Sequence, residues 1–263
     1  MKRYVDLICF LLVCAVIIPF TANAWWSSSQ PAMLRVSGGT PTPTPSPTPA
    51  YKNIALNVVD TSVNTITTST NLDVATNDLL VCQAGRYEFD NQDWSTVDCG
   101  ANSLTKAGVT TVTAAHYIVS YWYKEGATAG STTCAAANPG YASTYNGIQC
   151  MNYSGVATSS ALDGFSCNSA SCNDIAASST NRTAQNITTT NANDLLVAFE
   201  LSWNNDHTYT AAGSFNRRSA ASGVHWGAFD KIVSSTGSYP AGNFATVDSS
   251  DQYISGFMAF KAQ

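Results

Sequence analysis

The side chains able to do acid–base chemistry in this chain are few. Its glutamates are Glu88, Glu125 and Glu200, and its histidines are His116, His207 and His225. Glycan cleavage needs two carboxyl groups on one concave face, as general acid and as nucleophile or base. Nothing of the E-x-D-x-x-E type, which would alternate carboxylates along one strand face, is present. Glu200 lies in an apolar stretch and could point into a groove; the competing reading is an ordinary charge at a strand edge. A serine nucleophile needs a G-x-S-x-G elbow, which is absent. Asp90, Asp93 and Asp98 crowd one loop beside Glu88 and Asn91, and Asn204, Asn205 and Asp206 occupy the corresponding place later on. Hard oxygen donors gathered in a loop suit a structural calcium ion, although Asp and Asn are also the common residues of turns. No other cofactor is indicated.

The aromatic residues suggest binding rather than turnover. Trp94 and Trp203 fall in corresponding loops, Trp122 sits on a strand, and Tyr141, Tyr145 and Tyr239 lie in turns. A ring beside Asn and Asp side chains offers a sugar an apolar platform with hydrogen-bond partners. The same rings can instead fill a core.

Both ends of the argument about location come from the first fifty residues. Lys2 and Arg3 precede an apolar run over 7–20, and Ala22-Asn23-Ala24 supplies the small residues of a cleavage site. Residues 1–24 are therefore read as a signal peptide, and the mature chain as exported, without a membrane span. Residues 25–40 are a short disordered segment. Residues 41–50, PTPTPSPTPA, form a Pro/Thr linker extended by alternate prolines. The formal net charge of −5 and the lack of a Lys/Arg cluster argue against nucleic acid and anionic membranes as partners.

Six cysteines follow the cleavage site: Cys82, Cys99, Cys134, Cys150, Cys167 and Cys172. An even number in an exported chain reads as disulfides. A zinc site would want C-x-x-C spacings or nearby histidines, and has neither. Strand-like residues 131–136 and 147–153 flank Asn138-Pro139-Gly140-Tyr141, a turn signal. A hairpin there sets Cys134 opposite Cys150. Cys167 and Cys172 are local partners, which leaves Cys82 with Cys99.

The elements that must position these groups are strands. Short apolar or alternating segments recur at residues 54–59, 78–84, 116–125, 131–136, 147–153, 194–203, 224–233, 242–247 and 253–261, separated by Gly/Asn/Ser/Asp turns. Residues 51–263 therefore form one all-β domain, a two-sheet antiparallel sandwich. NDLLV occurs at 77–81 and again at 193–197, and similar elements follow each copy in the same order. We read two quasi-equivalent halves, neither able to cover its own sheet face alone. In the strand from Tyr117, alternation sends Tyr117, Val119, Tyr121 and Tyr123 to the core. Trp122, and its counterpart Phe229, fall on the more polar face.

DLLV, VDCGANSLTKA, YWYKEGATAG, NYSGVATSSALDG, a second DLLVAFE and a closing GFMAFKA together resemble the secreted jelly-roll modules, concanavalin-like in architecture, of bacterial extracellular and phage-associated proteins. The resemblance covers almost all of residues 51–263. It implies a jelly-roll fold, and by fold analogy a binding role, but carries no catalytic residues. The expected function is a secreted, non-enzymatic module for a glycan or cell-surface ligand. The alternatives are a structural or adhesive envelope protein and, behind it, a glycan-active hydrolase or lyase.

Overall fold

A computed structural model of the chain describes residues 47–263, apart from 60, 88–91, 113–115, 139–143, 170–171, 173–175, 203–206, 220–224 and 240–242. The expected signal peptide at 1–24, the segment 25–40 and residues 41–46 of the linker lie outside the described residues. So do Asp90 and Trp203.

The described chain is all-β, with antiparallel sheets. Its first strands are β1 (Ala50–Val59), β2 (Thr65–Thr67), β3 (Leu72–Val74), β4 (Leu79–Tyr87), β5 (Thr96–Cys99), β6 (Asn102–Ser103) and β7 (Thr105–Val112). They are followed by β8 (Tyr117–Lys124), β9 (Gly130–Thr132), β10 (Cys134–Ala137), β11 (Thr144–Ser154), β12 (Leu162–Cys167) and β13 (Ala176–Arg182). The last are β14 (Ile187–Thr189), β15 (Leu195–Ser202), β16 (Tyr209–Ala211), β17 (Asn216–Arg217), β18 (Trp226–Ile232), β19 (Gly237–Tyr239) and β20 (Ala245–Phe260).

Two main sheets form the sandwich. One has the order β1-β11-β4-β8-β7, the other β12-β20-β15-β18-β17, with β13 and β16 also paired to β20. Leu79, Val81, Val119, Tyr121, Met151 and Tyr153 of the first pack against Leu195, Val197, Phe199, Trp226, Met258 and Phe260 of the second. Alternation along β8 holds as expected: Val119 and Tyr121 enter this core, with Tyr117 and Tyr123 against it.

The outer faces are covered as well. The small sheet β2-β10-β5-β6 lies over the first main sheet, where Leu80, Cys82, Ala84, Trp122, Ile148 and Cys150 meet Ile66, Val97, Cys99, Cys134 and Ala136. On the other side Leu196, Ala198, Phe229, Phe257 and Ala259 meet Ile187, Tyr209, Phe244 and Ala245. These side cores explain NDLLV. A strand buried on both faces must be apolar at consecutive positions, not alternate ones. Leu79 and Val81 face inward while Leu80 faces the cover; Leu195, Val197 and Leu196 do the same. Full burial of each such side chain stabilises the fold by about 1.5–3 kcal/mol. The polar residues ahead of them make the entry turn. Asn77 and Asn193 hold φ of 71° and 64°, a left-handed conformation that Asn tolerates. Asp78 and Asp194 then accept hydrogen bonds from the amides of Ala75 and Asn191 at 2.8 and 3.4 Å.

Two expectations are corrected here. The face of β8 that carries Trp122 is not polar and open; the small sheet buries it. Nor do residues 131–136 and 147–153 form a hairpin. β10 pairs with β2 and β5 in the covering sheet, and β11 with β1 and β4 in the main sheet, so the two strands belong to different layers. The disulfides follow the observed register. Cys82 is bonded to Cys150 and Cys99 to Cys134, each pair directly opposed across an antiparallel ladder with Cα atoms 4.1 and 4.0 Å apart. The expected Cys134–Cys150 and Cys82–Cys99 pairs therefore do not form. Cys167–Cys172 does.

Candidate functional site

At one end of the sandwich the strands that begin with the two NDLLV copies run out together. Gly85 and Arg86 end β4, and Leu201 and Ser202 end β15. With Tyr117, Tyr145, Asn146, His225 and Trp226 they line a cavity of about 300 Å³ between the two main sheets.

Its floor is an indole seated on glycine. A Cβ at Gly147 would stand 2.0 Å from Trp226 Cζ2, and one at Gly85 2.8 Å from Trp226 Cη2, so only glycine leaves room for the ring. Its rim is aromatic. Tyr145 is 57% exposed, one of the few large apolar side chains in the described chain that face solvent. Beside it the Tyr87 and Tyr117 rings meet edge to face with centroids 5.1 Å apart, and His116 packs on Tyr87 at 6.0 Å. Burial pushes the Tyr117 hydroxyl up to about 12, and the neighbouring Tyr87 and Tyr145 hydroxyls add to the shift. At neutral pH the phenol is protonated, able both to donate and to accept a hydrogen bond.

Behind the cavity, on the outer face of β15 that also carries Leu196 and Ala198, the Ser202 side chain belongs to a buried polar cluster. Ser202 Oγ donates to Glu200 Oε1 at 2.7 Å and accepts from Arg182 Nη2 at 3.2 Å. Arg182 Nε lies 2.9 Å from the same carboxylate oxygen, and Tyr209 donates its hydroxyl to Glu200 Oε2. Arg182 also donates to the Asp251 carbonyl at 3.1 Å and stacks 4.7 Å from the Tyr253 ring centre. Both Glu200 and Arg182 are fully buried. Burial is the main reason the Glu200 carboxyl is pushed up to about 7; Arg182, Tyr209 and Ser202 pull it down, and Asp251 opposes them.

Among the described residues that line the cavity there is no carboxylate. Glu200 does not line the cavity; it is screened by Ser202 and engaged at both oxygens. His207 lies elsewhere, fully buried, with Nδ1 3.0 Å from Asp248 Oδ1. A hydroxylated ligand would meet ring faces on the rim and floor, and the hydroxyl of Tyr117 beside them.

The tryptophans that the sequence suggested as platforms are not there. Trp94 is 1% exposed and Trp122 4%, both in the side core beneath the covering sheet. Each carries a cation on one face instead: Arg86 lies 4.9 Å from the Trp94 ring centre and Lys106 Nζ 4.6 Å from that of Trp122. Trp203 lies outside the described residues. Of the calcium candidates, Asp93 accepts from the Trp94 amide at 2.7 Å and pairs with Lys106 at 2.6 Å. Asp98 accepts from Ser103 Oγ at 2.5 Å. These two carboxylates serve the loop as acceptors, and no acidic cluster converges on a point among the described residues.

Sequence reasoning named Tyr145 as an aromatic residue of a turn, where the structure has it in β11, and missed Tyr117, Trp226 and the cavity itself. The repeat held the signal. Counted from Asn77 and Asn193, Gly85 and Leu201 occupy equivalent positions, as do Arg86 and Ser202. Comparison with known proteins found no matching family model, no matching curated protein and no matching solved structure.

Proposed function

We propose that this chain is a secreted, non-enzymatic binding module whose ligand, a glycan or glycan-bearing cell-surface molecule, enters the cavity at the end of the sandwich. The observation that carries this reading is the exposed Tyr145 ring at a cavity floored by Trp226 and lined by Tyr117. Sugars present alternating apolar C–H faces and hydroxyl edges, and such a surface complements both. The module is a jelly-roll, concanavalin-like sandwich of two quasi-equivalent halves in this reading. The matching strand orders of the main sheets support it: in each, the NDLLV strand (β4 or β15) lies between the last long strand of its half (β11 or β20) and β8 or β18, with the first strand of the half (β1 or β12) beyond the last. Secretion rests on the signal-peptide pattern at 1–24, with the Pro/Thr linker as a stalk.

A glycan array probed with the purified protein tests the reading, since an adhesive or structural protein acting through protein contacts would bind none of it. Replacing Tyr145 by Ala should weaken binding of those glycans by about two- to tenfold, from an aromatic contact of ~0.5–1.5 kcal/mol. Because the ring is mostly in solvent, the same change should move stability by no more than about 0.5 kcal/mol. Binding that survives the substitution unaltered would place the ligand elsewhere.

A further inference from the structure

Cys82 and Cys150 oppose each other in the main sheet, and Cys99 and Cys134 oppose each other in the small sheet that covers it. The two disulfides meet in the side core. All four residues are buried, and their sulfur atoms lie within 4.8 Å of one another. A metal held tetrahedrally by four thiolates at ~2.3 Å needs its sulfurs about 3.8 Å apart. The widest separation exceeds that by no more than about 1 Å, and each bonded pair, at 2.06 and 1.95 Å, must open by about 1.8 Å once its S–S bond is cleaved, on four strands whose backbones the ladders already fix. The missing C-x-x-C spacing, which argues against zinc in the sequence, loses its force: cross-strand pairing supplies the two close pairs instead.

We propose that in its reduced form the protein binds one Zn²⁺ through Cys82, Cys99, Cys134 and Cys150, the metal replacing two disulfides as the clamp between main sheet and cover. Two molecules of a dithiol reductant supply four electrons and four protons, cleaving both S–S bonds to four thiols while each reductant closes to its own disulfide. Zn²⁺ then takes the place of the four thiol protons, which pass to solvent, and the tetrathiolate centre is dianionic. Arg86 and Lys106, stacked on the Trp94 and Trp122 rings of the same side core, bring two cations to that layer. Cys167–Cys172 lies outside the quartet and serves as an internal control.

The test is anaerobic reduction of the purified protein with dithiothreitol, removal of the reductant, and titration with Co²⁺. The intense visible absorption of tetrahedral tetrathiolate cobalt should saturate at one equivalent and be bleached by Zn²⁺. The double variant Cys167→Ser/Cys172→Ser should keep it, and Cys99→Ser/Cys134→Ser should lose it. If reduction unfolds the metal-free chain, Zn²⁺ should restore the far-ultraviolet circular dichroism of the oxidised protein, because metal binding and folding are then coupled. Absence of the tetrathiolate signal, or its persistence in Cys99→Ser/Cys134→Ser, overturns the proposal whether or not the reduced chain is folded.

Discussion

Replacing Trp226 by Ala should destabilise the protein by about 3–5 kcal/mol, read as a lower urea midpoint with an unchanged slope. The indole is 4% exposed and lies against two glycines, one in β4 and one in β11, so no neighbouring side chain can swing in to fill its place. The reverse change probes the same seat. Gly147→Ala puts a methyl into the ring and should cost about 1–3 kcal/mol. In the Trp226→Ala background it should cost almost nothing, because the atoms it strikes are gone. That non-additivity is the signature of direct contact. Equal cost in both backgrounds would mean that the ring is seated somewhere else.

The second large effect is a dependence of stability on pH through Glu200. Its carboxyl is ordinarily near 4.5 and sits at about 7 in the fold, so the folded protein favours the neutral form. The stability this brings is fully present below about pH 4.5 and is lost as pH rises through 7. For this wholly buried group the loss amounts to about 3 kcal/mol. Asp194, pushed up to about 6 chiefly by burial and next by the Asp163 carboxyl, adds a slope of the same sign that ends at lower pH. Asp163 and Asp248 are shifted the other way and act below pH 4. Unfolding measured from pH 6 to 8 therefore reads mainly Glu200, with about 1–1.5 kcal/mol of its loss falling in that window and a smaller tail from Asp194. The wild type should lose stability across that window, and Glu200→Gln, which keeps an oxygen for Tyr209 but cannot ionise, should be nearly flat. A wild type that gains stability as pH rises would show that attraction to Arg182 outweighs burial.

These effects show which layer of the architecture a sequence can carry. The all-β class and the inner face of β8 were legible because period-two alternation is a local property of Tyr117 to Tyr123. The doubled NDLLV was legible as architecture, though its reason was not. Five residues say that a strand is buried on both faces without saying what buries it. The covering sheet joins β5 to β10 across 35 residues between its cysteines, and no local pattern marks that pairing. From this one gap came the misassigned cysteine pairs and the expectation that Trp94 and Trp122 were available to a ligand. The cysteine pairing assumed that a turn signal makes a hairpin; here the strands on either side of it belong to different layers. The cavity was hidden for a related reason. Its lining comes from strands of both main sheets, β4, β8, β11, β15 and β18, which no local pattern brings together.

The claim on which the functional reading rests is that ligands enter between the ends of β4 and β15. Nuclear magnetic resonance of the isotope-labelled protein, titrated with a panel of mono- and disaccharides at high concentration, tests it most directly. A binding sugar should shift the Trp226 indole and the Tyr117 and Tyr145 ring signals together, and leave the buried indoles of Trp94 and Trp122 unmoved. Shifts gathered on another surface, or a panel that perturbs none of the cavity's rings, would contradict it.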